Sequence, residues 1–374
     1  KKKKMLFFLT LTQNCNLACT YCGSDGNADI ENILEEDQPK EIRYKLNNLE
    51  KLKNIKDDLI ICFYGGEPLL KPRIIKKVIE MHPNAKFCLQ TNGTLLNRFN
   101  TKLCNQMDTI LVSVDGGPEV TNKSRGQGTW ERAIENARYI RKNGYKNDLV
   151  ARMTTSNVSN IYRDVKDLIE LDLFDHVHWQ LDTQWSTPCF AGYDNFLDWR
   201  DNNYNVGITK LVNWFEQEIV ENSRVLGIAP FLQVLHDMIT GRKTRLRCGS
   251  GLDSFNVDTG GEINPCPIAP ETKELALIQD DNFQSPETLR DSVKIAGLCT
   301  DCEILDLCGG RCLYANQTMW WGEEGFKEVC VTVKHLMNEL KRILPSIKQA
   351  IADGKIELED LNYPKYNNSV EIIP

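Results

Sequence analysis

Three thiols within eight residues, Cys15, Cys19 and Cys22, follow directly on the apolar run Met5–Leu11. The run reads as a β-strand, so the cysteines occupy the loop after it. Three thiolates on one short loop can hold three irons of a [4Fe–4S] cube and leave the fourth without a protein ligand. An open iron is where a small molecule can bind and receive an electron. Structural zinc needs four ligands in a closed tetrahedron. No fourth His or Cys stands nearby, since the next cysteine is Cys62, inside another apolar run. Ligand arithmetic therefore favours the cluster.

Strand-like and helix-like segments alternate from Met5 to about Leu181. The strands are Leu6–Thr12, Leu59–Tyr64, Lys86–Gln90, Thr109–Val114, Leu149–Thr154 and His176–Leu181, with helical patterns such as Arg73–Met81, Thr129–Asn143 and Ile161–Leu171 between them. Such βα alternation implies an α/β chain with a parallel sheet and helices outside it. In parallel barrels the chemistry gathers at the C-terminal strand ends. Four motifs fall there: the cysteine triplet, Gly65-Gly66-Glu67-Pro68, Thr91-Asn92-Gly93 and Ser113-Val114-Asp115-Gly116.

The C-x3-C-x2-C triplet, with the aromatic Tyr21 before its last cysteine, resembles the radical S-adenosylmethionine (SAM) superfamily. Phe63-Tyr64 followed by Gly65–Pro68 looks like that family's GGEP motif. The resemblance implies a partial (β/α)6 TIM-like barrel and a SAM-bound [4Fe–4S] cluster. It gives Gly65, Gly66, Glu67 and Pro68 to the methionyl ammonium and Ser113 and Arg125 to the SAM carboxylate, a task suited to a bidentate guanidinium. Tyr21, Thr91, Asn92 and Asp115 join the cofactor-binding set, Gln180 and Leu181 are placed to meet the adenosine, and Thr154 to Asn157 are weaker candidates. Electron transfer to the sulfonium would then release methionine and a 5′-deoxyadenosyl radical that takes a hydrogen from substrate.

A second array begins at Cys248. Cys248 and Cys266 are followed by Cys299, Cys302, Cys308 and Cys312 in a C-x2-C-x5-C-x3-C pattern, then by Cys330. Order and spacing resemble the SPASM domain of peptide-modifying radical SAM enzymes. By that resemblance Cys248, Cys266 and Cys312 hold auxiliary cluster I, and Cys299, Cys302, Cys308 and Cys330 hold auxiliary cluster II, giving three [4Fe–4S] clusters in all. Ser254 stands where some relatives place a fourth cysteine of cluster I, which implies a vacant iron or a ligand from elsewhere. Gly309, Gly310 and Arg311 permit a tight turn between ligands. Two zinc ribbons would need eight ligands, and seven are present.

The expected organisation is a barrel over 1–195, bridging helices over 196–247 (Val206–Glu221 and Phe231–Thr240), the SPASM domain over 248–335, and a C-terminal helix and tail over 336–374. An amphipathic helix over Glu328–Ala352 docks through Cys330 onto the second cluster. Asp182–Asn205, rich in aromatics, reads as a long loop on the substrate-facing wall. Its Cys189 is a spare ligand, a hydrogen donor or a plain thiol.

A 374-residue chain, 41% hydrophobic and 26% charged, is that of a globular protein with ample core. Net charge −7 argues against a nucleic-acid binder. Fourteen cysteines in tight spacings, with no secretory segment, favour metal binding in a reducing, cytoplasmic compartment. No apolar run is long enough to span a membrane.

The reading is an enzyme that modifies a ribosomal peptide or protein, by thioether or other cross-link formation, with a flavodoxin- or ferredoxin-type electron donor. The competing readings are formylglycine formation, peptide epimerisation, or a redox protein that does not cleave SAM. Sulfatase-type maturases carry an acidic base just after the second SPASM cysteine, where this chain has Pro267. No segment before Met5 could be a precursor-recognition domain, so a separate protein, or the aromatic loop and acidic surface, is expected to read the leader.

Overall fold

A computed structural model describes residues 3–22, 39–182, 193–268, 273–363 and 372–374. Six parallel strands alternate with helices: β1 (Lys4–Thr10), β2 (Asp58–Tyr64), β3 (Lys86–Thr91), β4 (Thr109–Ser113), β5 (Asp148–Thr155) and β6 (His176–Leu181). Helices α1 (Pro72–Met81), α2 (Pro118–Arg125), α3 (Thr129–Lys142) and α4 (Ile161–Glu170) cover one face. Each of the six strand readings holds, His176–Leu181 unchanged and the ends of the others moving by at most two residues.

The strands are buried on both faces, as parallel sheets require. Along β1 and β2, Met5, Phe7, Leu9, Ile61 and Phe63 join the large helix-side core. The alternate residues Leu6, Phe8, Ile60, Cys62 and Cys88 form a separate cluster with Tyr64 on the inner face. Farther round, Leu111 and Val150 pack with Ala229 and Tyr363, which closes the lower end of this concave interior.

The sheet does not stop at β1. Its order is β6-β5-β4-β3-β2-β1-β7-β8-β9, where β7 (Ser254–Val257) lies parallel to β1, and β8 (Glu262–Asn264) and β9 (Ala276–Leu277) follow antiparallel. The hairpin that opens the C-terminal cysteine region therefore continues the barrel sheet. Buried polar contacts stitch the join: Thr10 Oγ1 donates to Asn256 Oδ1 at 2.9 Å, and Asn256 Nδ2 to Asn264 Oδ1 at 3.2 Å.

The stretch read as an aromatic loop is largely helical where it is described. Tyr193–Trp199 is α-helical, Arg200–Tyr204 adds a π turn, and α5 (Asn205–Asn222) continues from it. Phe196, Trp199 and Tyr204 are buried in the helix-side core, so they do not form an open wall. Helical spacing, with one residue added by the π turn, gathers these rings on one face. Cys189, Trp185 and Phe190 lie outside the described residues. Helix α6 (Ala229–Thr240) follows, and α7 (Gly322–Ala352) starts six residues before the expected Glu328, with Glu323 and Glu324 in its first turn.

Candidate active site at the strand ends

The loop carrying Cys15, Cys19 and Cys22 is bound on all sides by strand-end motifs. Gly66 N donates to Thr12 O and Glu67 N to Asn14 O, both at 2.9 Å. A Cβ on Gly65 would stand 2.4 Å from Thr12 O, and one on Gly66 2.2 Å from Asn14 O. The close approach these glycines allow is to the cysteine loop itself. Glu67, fully buried, accepts from Leu69 N (3.0 Å), Thr91 Oγ1 (2.8 Å) and Asn92 N (2.8 Å). It thereby ties the end of β2 to the end of β3, while Pro68 starts the short 3₁₀ turn that Glu67 caps. Asn92 Nδ2 then reaches Asn16 Oδ1 at 2.8 Å and the Cys15 sulfur at 3.8 Å.

Asp115 is a second hub. It is buried and accepts from Tyr21 Oη (2.7 Å), Arg125 Nε and Nη2 (2.9 Å each) and Thr154 N (2.9 Å). The Arg125 guanidinium also lies over the Tyr21 ring, 5.3 Å from its centroid. The bidentate fork expected to face a ligand carboxylate is thus engaged on Asp115, and Nη1 is the nitrogen that Asp115 does not use.

Burial pushes the Cys15 thiol up and the Cys19 thiol up to about 11, although Arg125 pulls the latter down. Each of the two is also raised by Cys22, whose sulfur is close to both. Thiols so placed are protonated when bare and release protons on metal loading. Among the described residues no three His, Cys, Asp or Glu side chains converge as ligands of one ion do. The ligands of a cube each bind a different iron.

On β6, Gln180 Nε2 is buried with no hydrogen-bond partner. An orphaned donor at a strand end fits a ligand group that fills the space beside it. Leu181, one residue on, packs into the helix-side core and offers only backbone. Ser113 ends β4 in register with Arg152. Of the weaker candidates, Thr154 N is held by Asp115, Thr155 and Ser156 are buried, and Asn157 is exposed.

Three inner-face residues escaped the sequence reading: Tyr64, Arg152 and His178. Arg152 Nη1 contacts His178 Nδ1, and His178 Nε2 lies 2.9 Å from Ile372 O. The carbonyl can only accept, so Nε2 carries the proton and Nδ1 accepts from Arg152. Burial and the Arg152 charge hold His178 far below its usual pKa, and burial pulls Arg152 down to about 10. Burial raises the Tyr64 phenol, with Cys22 and Cys266 adding to it and Arg152 opposing it. A period-2 count along β5 and β6 would have found Arg152 and His178, since a cation inside a buried parallel strand is unusual.

In the C-terminal array, burial, with Cys312 adding to it, pushes Cys248 up to about 12. Cys330, also about 12 for the same first reason, is raised by Cys308, Cys299 and Cys302. Cys299, Cys312 and Cys330 line one apolar cluster with Phe326, and Cys302 and Cys308 pack into the large core beside it. Cys266 stands toward Tyr64. Gly309 and Gly310 hold φ of 75° and 91° in the turn between these ligands.

Residues 9–171 match the Radical SAM superfamily. The cysteine-type anaerobic sulfatase-maturating enzyme of Clostridium perfringens is 24% identical over 337 residues, 80% of this chain and 86% of that protein. The mycofactocin maturase MftC of Mycolicibacterium smegmatis is 25% identical over 329 residues, covering 82% of this chain and 77% of its own. Among solved structures, native anSMEcpe with bound AdoMet and Cp18Cys peptide superposes with a TM-score of 0.72 at 19% identity, over 93% of this chain and all of that one. The likeness shows a shared fold. Among the described residues no helix is long and apolar enough to cross a membrane.

Proposed function

We propose, from the match of residues 9–171 to the Radical SAM superfamily, that this chain is a radical SAM maturase that modifies a ribosomal peptide or protein, forming a thioether or other cross-link. When bound, a [4Fe–4S] cluster and SAM supply the 5′-deoxyadenosyl radical that takes a hydrogen from the peptide. Cys15, Cys19 and Cys22 would hold that cluster. The ring of Gly65–Pro68, Thr91, Asn92 and Asp115 fixes the loop that carries them. Ser113 and the Nη1 of Arg125 would meet the SAM carboxylate, and the orphaned amide of Gln180 the adenosine.

Cys248, Cys266 and Cys312 would hold one auxiliary cluster, and Cys299, Cys302, Cys308 and Cys330 a second. The observation that supports this reading is the single sheet in which β7 pairs with β1, so that the C-terminal cysteine region adjoins the strand that leads into the first triplet. A peptide between the two arrays would be open to the radical on one side and to an electron acceptor on the other. Arg152, in contact with neutral His178, adds a cation to the inner face of the sheet. A flavodoxin or ferredoxin would supply the first electron.

A formylglycine-forming reading is favoured by the Clostridium perfringens relative and opposed by Pro267, which cannot act as a base. One experiment separates the readings. Anaerobically reconstituted enzyme, dithionite and SAM are incubated with Cys-containing peptides and analysed by mass spectrometry. Cross-linking removes a hydrogen pair and the alkylatable thiol; formylglycine formation removes the sulfur; epimerisation shows only as Cα deuterium in D2O. Absence of reductant-dependent 5′-deoxyadenosine would overturn the radical assignment altogether.

A further inference from the structure

Arg311 sits in the turn between Cys308 and Cys312 with its backbone in the left-handed region, φ 54°. A side chain other than glycine is disfavoured there. The side chain is 8% exposed, and its Nε is buried with no hydrogen-bond partner. Arg311 makes no ion pair with any carboxylate among the described residues. A buried guanidinium without counter-charge is among the costliest arrangements in a protein.

The charge has a defined direction. The thiols of Cys308 and Cys330 both feel Arg311, as does the phenol of buried Tyr204. Tyr204 is fixed by Trp179 Nε1, which donates to its Oη at 2.9 Å, and by the stacked ring of Trp199 at 5.2 Å.

Resting on the proposed function, we propose that Arg311 is the counter-charge of the cluster held by Cys299, Cys302, Cys308 and Cys330, and that it raises that cluster's reduction potential. Four thiolates around a cube carry net negative charge, and one-electron reduction adds to it. A fixed cation and an N–H donor beside the sulfurs stabilise the reduced state over the oxidised one, two of the levers that set cluster potentials. A more oxidising second cluster is better suited to take an electron arriving from the substrate side. Arg311 is a positioning and tuning residue; it does not touch substrate.

The test uses the full chain, reconstituted anaerobically, as wild type, Arg311→Gln and Arg311→Lys. Iron is counted, and the cluster midpoints are followed by EPR-monitored potentiometric titration. Arg311→Gln should lower one midpoint and leave the others in place. Reduced cluster at a fixed poise would fall about tenfold, ~59 mV for a one-electron couple. Arg311→Lys should stay near wild type. Should Arg311→Gln fail to load one cluster while Arg311→Lys loads fully, the counter-charge role is supported by iron content instead. Wild-type iron and potentials in Arg311→Gln would overturn the inference, and so would Arg311→Lys being as impaired as Arg311→Gln. Wild-type protein that loads no cluster at all would sink the proposed function instead, and iron analysis alone distinguishes that failure.

Discussion

Gly66 shows how one residue serves the site through the backbone it packs against. Its missing Cβ leaves room for Asn14 O, 2.2 Å from where that atom would be. Because the obstacle is backbone of the cysteine loop, Gly66→Ala has to push the loop outward. The other two cysteine sets lie elsewhere in the chain and are undisturbed. Gly66→Ala is therefore expected to lose about four irons per chain, one cube's worth, and the reductant-dependent cleavage of SAM with them. Iron analysis checks this, and a full iron complement would contradict it. The glycine pair was legible in the sequence as a close-approach site, but what approaches was not. Glu67 and Asp115 are similar cases, because their partners, Thr91, Asn92, Tyr21, Arg125 and Thr154, come from separate βα units. Residue type and strand-end position can be read from a sequence, whereas the pairing of two buried groups across units is a tertiary fact.

At the scale of elements, apolar runs located β1 to β6, because both strand faces are buried, and period-3.6 patterns located the helices between them, because these are amphipathic. The C-terminal strands were missed. Ser254–Val257, Glu262–Asn264 and Ala276–Leu277 are four residues or fewer, too short for an alternation to register. The end of α1 offers a test of packing between elements. His82 closes that helix, its N–H donating to Val78 O and Ile79 O, with an imidazole 3% exposed and Nε2 unpartnered. Burial, with Lys53 adding to it and Glu50 opposing it, pulls its pKa to about 4. The unfolded chain takes up this proton near pH 6.5 and the folded chain only near 4. Between those values the unfolded state binds more protons, so stability falls as pH falls through the window. From pH 7.5 to pH 5 the loss should be ~2 kcal/mol. His82→Gln should remove that share of the slope in urea unfolding midpoints, and an unchanged slope would exclude the buried neutral histidine.

For the whole molecule, the consequence of the shared sheet is that neither cysteine array has a scaffold of its own. Leu6 to Leu9 pair with Ser254 to Val257 on the edge of β1 opposite β2. Arg290 joins Asp57 at 2.6 Å and Lys4 O at 3.2 Å, and Lys51 Nζ donates to Ile278 O and Asp280 O. The expected boundary at Cys248 thus falls in the chain but not in the sheet. That coupling fixes the distance between the first cysteine triplet and the second array, which a hinged pair of domains would leave variable. It also makes a prediction. A chain ending at residue 247 exposes the apolar β1 edge, with a row of unpaired N–H and C=O groups open to another copy. It should aggregate or dimerise on size-exclusion chromatography, and amide exchange at Leu6–Leu9 should lose its protection. In the full chain the same amides should exchange only with global unfolding, in step with those of Ser254–Val257. A monomeric 1–247 fragment with wild-type protection at Leu6–Leu9 would mean that the barrel closes without the hairpin, and the spacing of the two arrays would then need another cause.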